Sequence, residues 1–443
     1  MSLPSPHRSS RGRAVLAGLL AGIVAGSLAG AIARSPAPSP ETRARVLHAA
    51  PVLAEPGAPV VLRFATACDP SGTPACELRS AELHVRADGV WRTLPGTVEA
   101  GEAAFIVPGH LVADDGFAYY AELVPERGAP LTYPPSGAAH PIAVAGTAGF
   151  ARIRLPSDLS LEDVREADGL ALFLPWGSGR GEAGLADAHP GEEALGPSSF
   201  AVGPDGALYV ADWVNGRIQV FSGAGYRELP TPARTTLDLA VDEAGRIGLV
   251  GLGMGAKAYL LDPDGRRLGA FPVALGAPTR IAAAADGMRV GIGPGQWVPV
   301  GRPGGPALSP AEQDAGRSSS IDQAASQDLA EDRFAAAWPT ARGTTGVVVA
   351  LPEGIRVGIE YFVRPLPDGG ALVARGLWND AAMAVGVFRF SADGELLGLS
   401  LLPEPSTRMD ARSSTVRFRP PNEVLVARDR ADGIAVERFE VMP

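Results

Sequence analysis

A chain of 443 residues is long enough for two or more domains, and 46% hydrophobic residues is ordinary for globular protein. The formal charge of −10 argues against a nucleic-acid partner, or an anionic membrane surface as partner, for the folded part. The 55 glycines and 41 prolines fall as turn pairs between short apolar runs, without a collagen-like period, which makes an all-β architecture the expected class.

Residues 1–33 read as a signal anchor or a signal peptide. Arg8, Arg11 and Arg13 precede an uncharged run from Ala14 to Ala33. Twenty residues of helix reach about 30 Å, enough to span the hydrocarbon core. The arginines stay in the cytoplasm under the positive-inside rule. Ala31-Ile32-Ala33 also offers a small-residue cleavage site, so secretion after cleavage near Ala33 is the alternative. Either reading places the later residues outside a bacterial cytoplasm, as a single-pass membrane protein or a secreted one. Gly18, Gly22, Gly26 and Gly30 form one smooth helical face on which a second copy can pack. Residues 34–45 form a proline-rich linker, stiffest at Ser35 to Glu41.

From 46 to 146 the pattern is period two, as in Val60 to Phe64, Ala81 to Arg86, Phe105 to Val107 and Phe117 to Leu123. Such strands over about a hundred residues suggest a small β-sandwich, similar in outline to immunoglobulin-like or fibronectin-like modules. Cys68 and Cys76 flank a short Pro/Gly-containing loop and are the chain's two cysteines. In an oxidising compartment they form a local structural disulfide, worth about 2–3 kcal/mol on the loop-entropy model.

Pro197 to Phe221 reads as three short strands joined by tight turns at Asp205-Gly206 and Asn215-Gly216. The run resembles an NHL repeat, a blade of a β-propeller, at Pro197, Ala201, Val202, Asp205, Gly206, Tyr209 to Asp212, Asn215 and Arg217 to Phe221. The glycine-rich stretch from Trp176 to Glu182 resembles the lead-in to such a repeat. Gly216 departs from the family, which commonly has histidine there. The resemblance implies an NHL-like propeller over 150–443.

Turn pairs then recur at Gly245, Asp286-Gly287, Asp368-Gly369 and Pro421-Asn422, with a degenerate repeat expected near 328. That spacing gives six blades; five with one long insertion is the competing count. A mobile insertion is expected at about 301–340, with a short helix from Ile321 to Trp338. Ring closure requires a strand from 150–175 to pair with the last strands.

Val250 to Ala256 formally fits a dinucleotide fingerprint, but the residues after it read as a strand, not as the helix that phosphate binding needs. All six histidines precede residue 197, so the propeller has neither the usual general base nor the usual zinc ligands. Asp238, Asp242 and Glu360 are the candidates for an all-oxygen calcium site of the lactonase-like kind. The resemblance implies that Asp212, Asn215 and Arg217 fix the blade turn. Trp213 is a candidate partner contact or packs against the neighbouring blade, and Trp297, Trp338 and Trp378 are open in the same way. No catalytic or metal-binding residue is assigned, and no cofactor beyond the calcium candidate. The expected function is a non-enzymatic extracytoplasmic binding or scaffold protein whose propeller face holds a protein, peptide or glycan. The alternatives are a calcium-dependent propeller hydrolase and a membrane-tethered sensor module.

Overall fold

The computed structural model describes residues 45–67, 77–186, 194–232, 236–251, 256–273, 278–284, 287–293, 296–319, 324–409 and 414–441. The expected helix at 14–33, most of the linker, and Cys68 and Cys76 lie outside them. Among the described residues no helix is long and apolar enough to cross a membrane.

The first hundred described residues form two sheets. One orders the strands Arg45–Leu47, Val60–Ala67, Glu102–Val107 and Thr97–Glu99. The other orders Leu53–Ala54, Ile142–Gly146, Gly116–Pro125, Leu78–Ala87 and Val90–Pro95, with Leu131–Tyr133 beside Gly116–Pro125. Strand alternation explains their burial: Leu62 and Phe64 point inward while Val61 and Arg63 point out. Leu62, Phe64 and Phe105 from one sheet meet Leu83, Val85 and Tyr119 from the other in one core.

Six four-stranded sheets resembling propeller blades follow, numbered here in chain order. Sheet one is Ser199–Val202, Leu208–Asp212, Arg217–Ser222 and Gly225–Pro230; sheet two spans 236–272 and sheet three 280–319. Sheet four joins 325–350 to Ala151–Arg154, sheet five spans 356–403, and sheet six joins 416–440 to Gly169–Pro175. The second strands of sheets one and two, Leu208–Asp212 and Ile247–Gly251, are buried at every position. Period-two exposure vanishes there because each strand has a neighbouring sheet on both faces.

The apolar clusters lie between neighbouring sheets. Tyr209 and Ile218 of sheet one pack with Leu239 and Leu249 of sheet two. Leu260 and Phe271 pack with Ile281 and Val290, Phe334 and Val349 with Phe388 and Phe390, and Leu372 and Val387 with Val424 and Phe439. Leu425 and Ile434 of sheet six return to Phe200 and Val210 of sheet one. Among the described residues no such cluster lies between sheets three and four.

That seam is covered by the first module. Val52 and Leu53 donate their backbone N–H groups to the Gln327 Oε1 of sheet four. Ser136 N–H donates to Asp314 Oδ2 at 3.0 Å, and Arg317 Nη2 donates to the His140 carbonyl at 2.9 Å. Glu55 accepts from Arg152 at 2.8 Å and from Arg333 at 3.0 Å. Val52 and Leu53 also share an apolar cluster with Ala335, Ala337 and Val348.

The structure corrects the sequence reading of 301–340. The helix is Pro310–Ala315, set by a capping box in which Glu312 N–H donates to Ser309 Oγ and Ser309 N–H to Glu312 Oε2. Ala325–Ala330 and Arg333–Thr340 are strands of sheet four. Burial of Phe334 to Trp338 on both faces makes a continuous apolar run, whose spacing also satisfies one helical face. The 150–175 region also divides. Gly169–Pro175 pairs antiparallel with the last strand as ring closure requires, whereas Ala151–Arg154 runs parallel to Gly343–Ala350.

Candidate functional site

The Asn215-Gly216 hairpin places Asp212 directly opposite Arg217, and Gly216 takes the left-handed φ of 67° that this turn demands. Asp212 is fully buried, so its carboxylate must be met by donors. Oδ2 accepts from Asn215 Nδ2 at 2.9 Å, Arg217 Nε at 2.9 Å and Gln219 Nε2 at 3.0 Å. Oδ1 accepts from the Gly184 N–H at 3.0 Å. Arg217 Nη2 and Gln219 Nε2 each donate to the Glu182 carbonyl at 2.7 Å. A Cβ on Gly184 would come within 2.5 Å of Val214 Cβ, so only glycine permits this approach.

The three residues singled out in the sequence thus come together, and they hold the lead-in loop that leaves the closing strand at Pro175. Gln219, read only as part of the repeat resemblance, and Gly184, not singled out at all, complete the set. Gln219 lies two residues beyond Arg217 on the same strand face, a signal the period supplied; Gly184 carried none. Trp213 is half-buried and donates its Nε1 to the Gly196 carbonyl at 2.8 Å. Trp338 is fully buried, its Nε1 donating to the Gly369 carbonyl. Trp297 and Trp378 lie under Arg280 and Arg356, at 5.0 and 4.7 Å from guanidinium to ring.

Asp238 and Glu360 lie on first strands of their sheets, but they do not converge. Asp238 is fully buried and accepts from Ser414 Oγ at 2.7 Å, Arg417 Nη2 at 2.9 Å and the Ile281 N–H at 3.0 Å. Glu360 accepts from Arg280 Nη2 at 2.8 Å, and from the N–H and hydroxyl of Ser326 at 3.1 and 3.0 Å. Arg375, itself buried, lies 3.8 Å away and also pairs with Asp328. Burial pushes the Glu360 carboxyl up, but Arg280, Arg375 and the Ser326 hydrogen bond outweigh it and hold it below the usual range. Asp242 belongs elsewhere: it caps the Gly245 turn, accepting from the Ala244 and Arg246 N–H groups and from Arg246 Nε. A calcium ion at Asp238 or Glu360 would have to displace an arginine.

Beside the Asp212 set an open cleft of about 500 Å³ is lined by Ser178, Arg180, Arg217, Tyr226, Arg227 and Glu228. Arg180 is exposed and lies 4.8 Å above the Tyr226 ring. The Tyr226 hydroxyl donates to Gln219 Oε1 at 3.0 Å and also contacts Glu228; burial first, and then the Glu228 carboxylate, push its pKa up. Arg227 is exposed, with Asp264 3.8 Å away. The floor is thus fixed by internal hydrogen bonds, while the Arg180 head, stacked on the Tyr226 ring and donating to the Tyr226 carbonyl at 3.2 Å, and the exposed Arg227 head form the rim. Among the described residues, one group has metal-ligating spacing, Glu82, His84 and Glu122 of the first module.

Residues 195–221 match the model of the NHL repeat, so the chain carries an NHL repeat of the β-propeller kind. No curated protein matches the chain. Among solved structures, a protein of unknown function from Bacteroides caccae is 13% identical, with 46% of this chain and 81% of that one covered and a TM-score of 0.30. A streptogramin B lyase is 14% identical over 56% of this chain and 83% of its own, with a TM-score of 0.25. A catalytically inactive virginiamycin B lyase from Staphylococcus aureus, with quinupristin, is 9% identical over 90% and 100%, with a TM-score of 0.21. At such scores the likeness carries no argument about activity.

Proposed function

We propose that this chain is a non-enzymatic binding or scaffold protein, built as a six-bladed NHL-like propeller over 150–443 with a sandwich module at 46–146. The N-terminal segment 14–33 tethers it outside the cytoplasm, and a propeller face holds a protein, peptide or glycan. The observation that carries this reading is the cleft at sheet one. Arg180 over Tyr226, with Arg227 beside it, offers a flat stacking surface next to two guanidinium groups that can fork onto a carboxylate. A ligand with an acidic group beside a sugar ring or a planar side chain fits that chemistry. The strands beneath are held by the Asp212 set, so the surface is preorganised and binding does not have to order it.

The test is a photocrosslinking residue at Ser178 in the full-length protein, in the cells that make it. A discrete adduct that disappears in the Arg180→Ala/Arg227→Ala double variant, with unchanged circular dichroism, supports the reading. No discrete adduct, or one that survives the double variant, overturns it.

A further inference from the structure

The outer face of the first module carries a constellation that the binding cleft does not use. On the strand Leu78–Ala87, Ala81, Leu83 and Val85 point into the core, so Glu82 and His84 share the opposite face. The neighbouring strand sets Glu122 directly across from Glu82 and Tyr120 across from His84. Two carboxylates opposed across a ladder repel, an arrangement that stabilises nothing by itself. His84 Nε2 faces both, 4.0 Å from Glu82 Oε2 and 3.9 Å from Glu122 Oε2. Those distances are too long for hydrogen bonds, and Nε2 is buried with no hydrogen-bond partner among the described residues.

The imidazole is held in place from its other side. The third strand sets Thr93 across from His84, with Thr93 Oγ1 3.1 Å from Nδ1. Tyr120 stacks on the ring at 4.4 Å and 13°, and Trp91 packs edgewise against Tyr120. If Nδ1–H donates to Thr93, the Nε2 lone pair points at the two carboxylates. A ligating histidine fixed through its other nitrogen is the usual outer arrangement of a metal site.

We propose that Glu82, His84 and Glu122 bind one divalent first-row metal ion of the zinc class, with Thr93 as the positioning residue. One imidazole and two carboxylates suit zinc better than calcium or magnesium, which take oxygen ligands. Tetrahedral zinc with ligands near 2.1 Å sets donor atoms roughly 3.4 Å apart, so each glutamate oxygen needs to close on Nε2 by about half an ångström. Both glutamates are half-exposed, at 59% and 48%, and free to make that adjustment, while His84, at 17%, stays fixed. The ion would relieve the opposed charges and satisfy Nε2, leaving a fourth position open to water.

The experiment is calorimetric titration of zinc, and separately magnesium, into the full-length protein stripped with EDTA, with cobalt as a spectroscopic probe. One zinc per chain, no heat with magnesium, and visible cobalt bands of a tetrahedral site are expected. Glu82→Gln/Glu122→Gln and His84→Ala should each abolish the bands, and Thr93→Val should weaken zinc 10–100-fold. The glutamine variants keep the side-chain shape, so the test does not depend on His84→Ala folding. Absence of stoichiometric zinc, or zinc bound equally by the glutamine variants, overturns the proposal.

Discussion

The seam between sheets six and one and the seam between sheets three and four solve the same problem in opposite ways. The first is apolar, with Leu425 and Ile434 against Phe200 and Val210, and it is stitched by Asp212 to a loop directly upstream of its own sheet. The second has no apolar cluster among the described residues. Polar contacts link it instead: Arg280 of sheet three and Ser326 of sheet four both donate to Glu360 of sheet five, and Val52, Leu53, Ser136 and His140 cover it from the first module. The difference teaches that the first module is part of what holds the blade-like sheets together.

The largest test of that contrast removes a guanidinium from the six–one side. Arg417→Ala leaves Asp238 buried without its charge partner and breaks the bond to the Phe200 carbonyl. A loss of about 3–5 kcal/mol is expected in urea unfolding. An unchanged midpoint would mean that solvent already reaches Asp238.

Acid should act on the other seam indirectly, through the first module that covers it, whose core holds His48 against Phe64 and Tyr119. Burial holds His48 down to about 4, against a smaller upward pull from its hydrogen bond to the Arg63 carbonyl. The folded state therefore keeps His48 neutral while the unfolded chain takes up a proton below pH 6.5. Stability is full above that pH and is lost as the pH falls towards 4, by about 3 kcal/mol. Hydrogen exchange at 280–284 and 325–330 should rise in this window before it rises at 199–202. His48→Leu should flatten the slope.

A smaller effect at the same seam is expected from Gln327→Ala, which deprives the Val52 and Leu53 N–H groups of their acceptor and costs about 2 kcal/mol. Asp212→Asn at the six–one seam keeps the side-chain shape but sets an amide N–H2 against donors, either the Gly184 N–H or the Asn215, Arg217 and Gln219 side chains, and removes the charge opposite Arg217, costing about 2 kcal/mol. Exchange at the Gly184 amide should report it. Equal loosening at 325–330 would break the contrast between the seams.

What sequence can reveal follows from the same contrast. Asp212, Asn215 and Arg217 lie within six residues of one another, and hairpin geometry alone makes them neighbours, so their meeting was legible. The expected degenerate repeat near 328 was legible too, because the turn at 331–332 keeps the spacing of its neighbours. The capping box at Ser309 and Glu312 was there to be read and would have placed the helix correctly. Arg417 with Asp238, and Gln327 with Val52, were not legible, because their partners lie 179 and 275 positions away and no local period links them.

By itself the sequence determined the turns, the strand-rich class and the NHL repeat at 195–221, because each rests on contacts between near neighbours. Only the tertiary structure decided which carboxylates are neutralised and where the first module docks. It also decided that His84 stands between two glutamates from neighbouring strands. Those depend on where sheets and strands come to rest against one another, and burial, which sets both the cost of a charge and the need for its partner, exists only once they have done so.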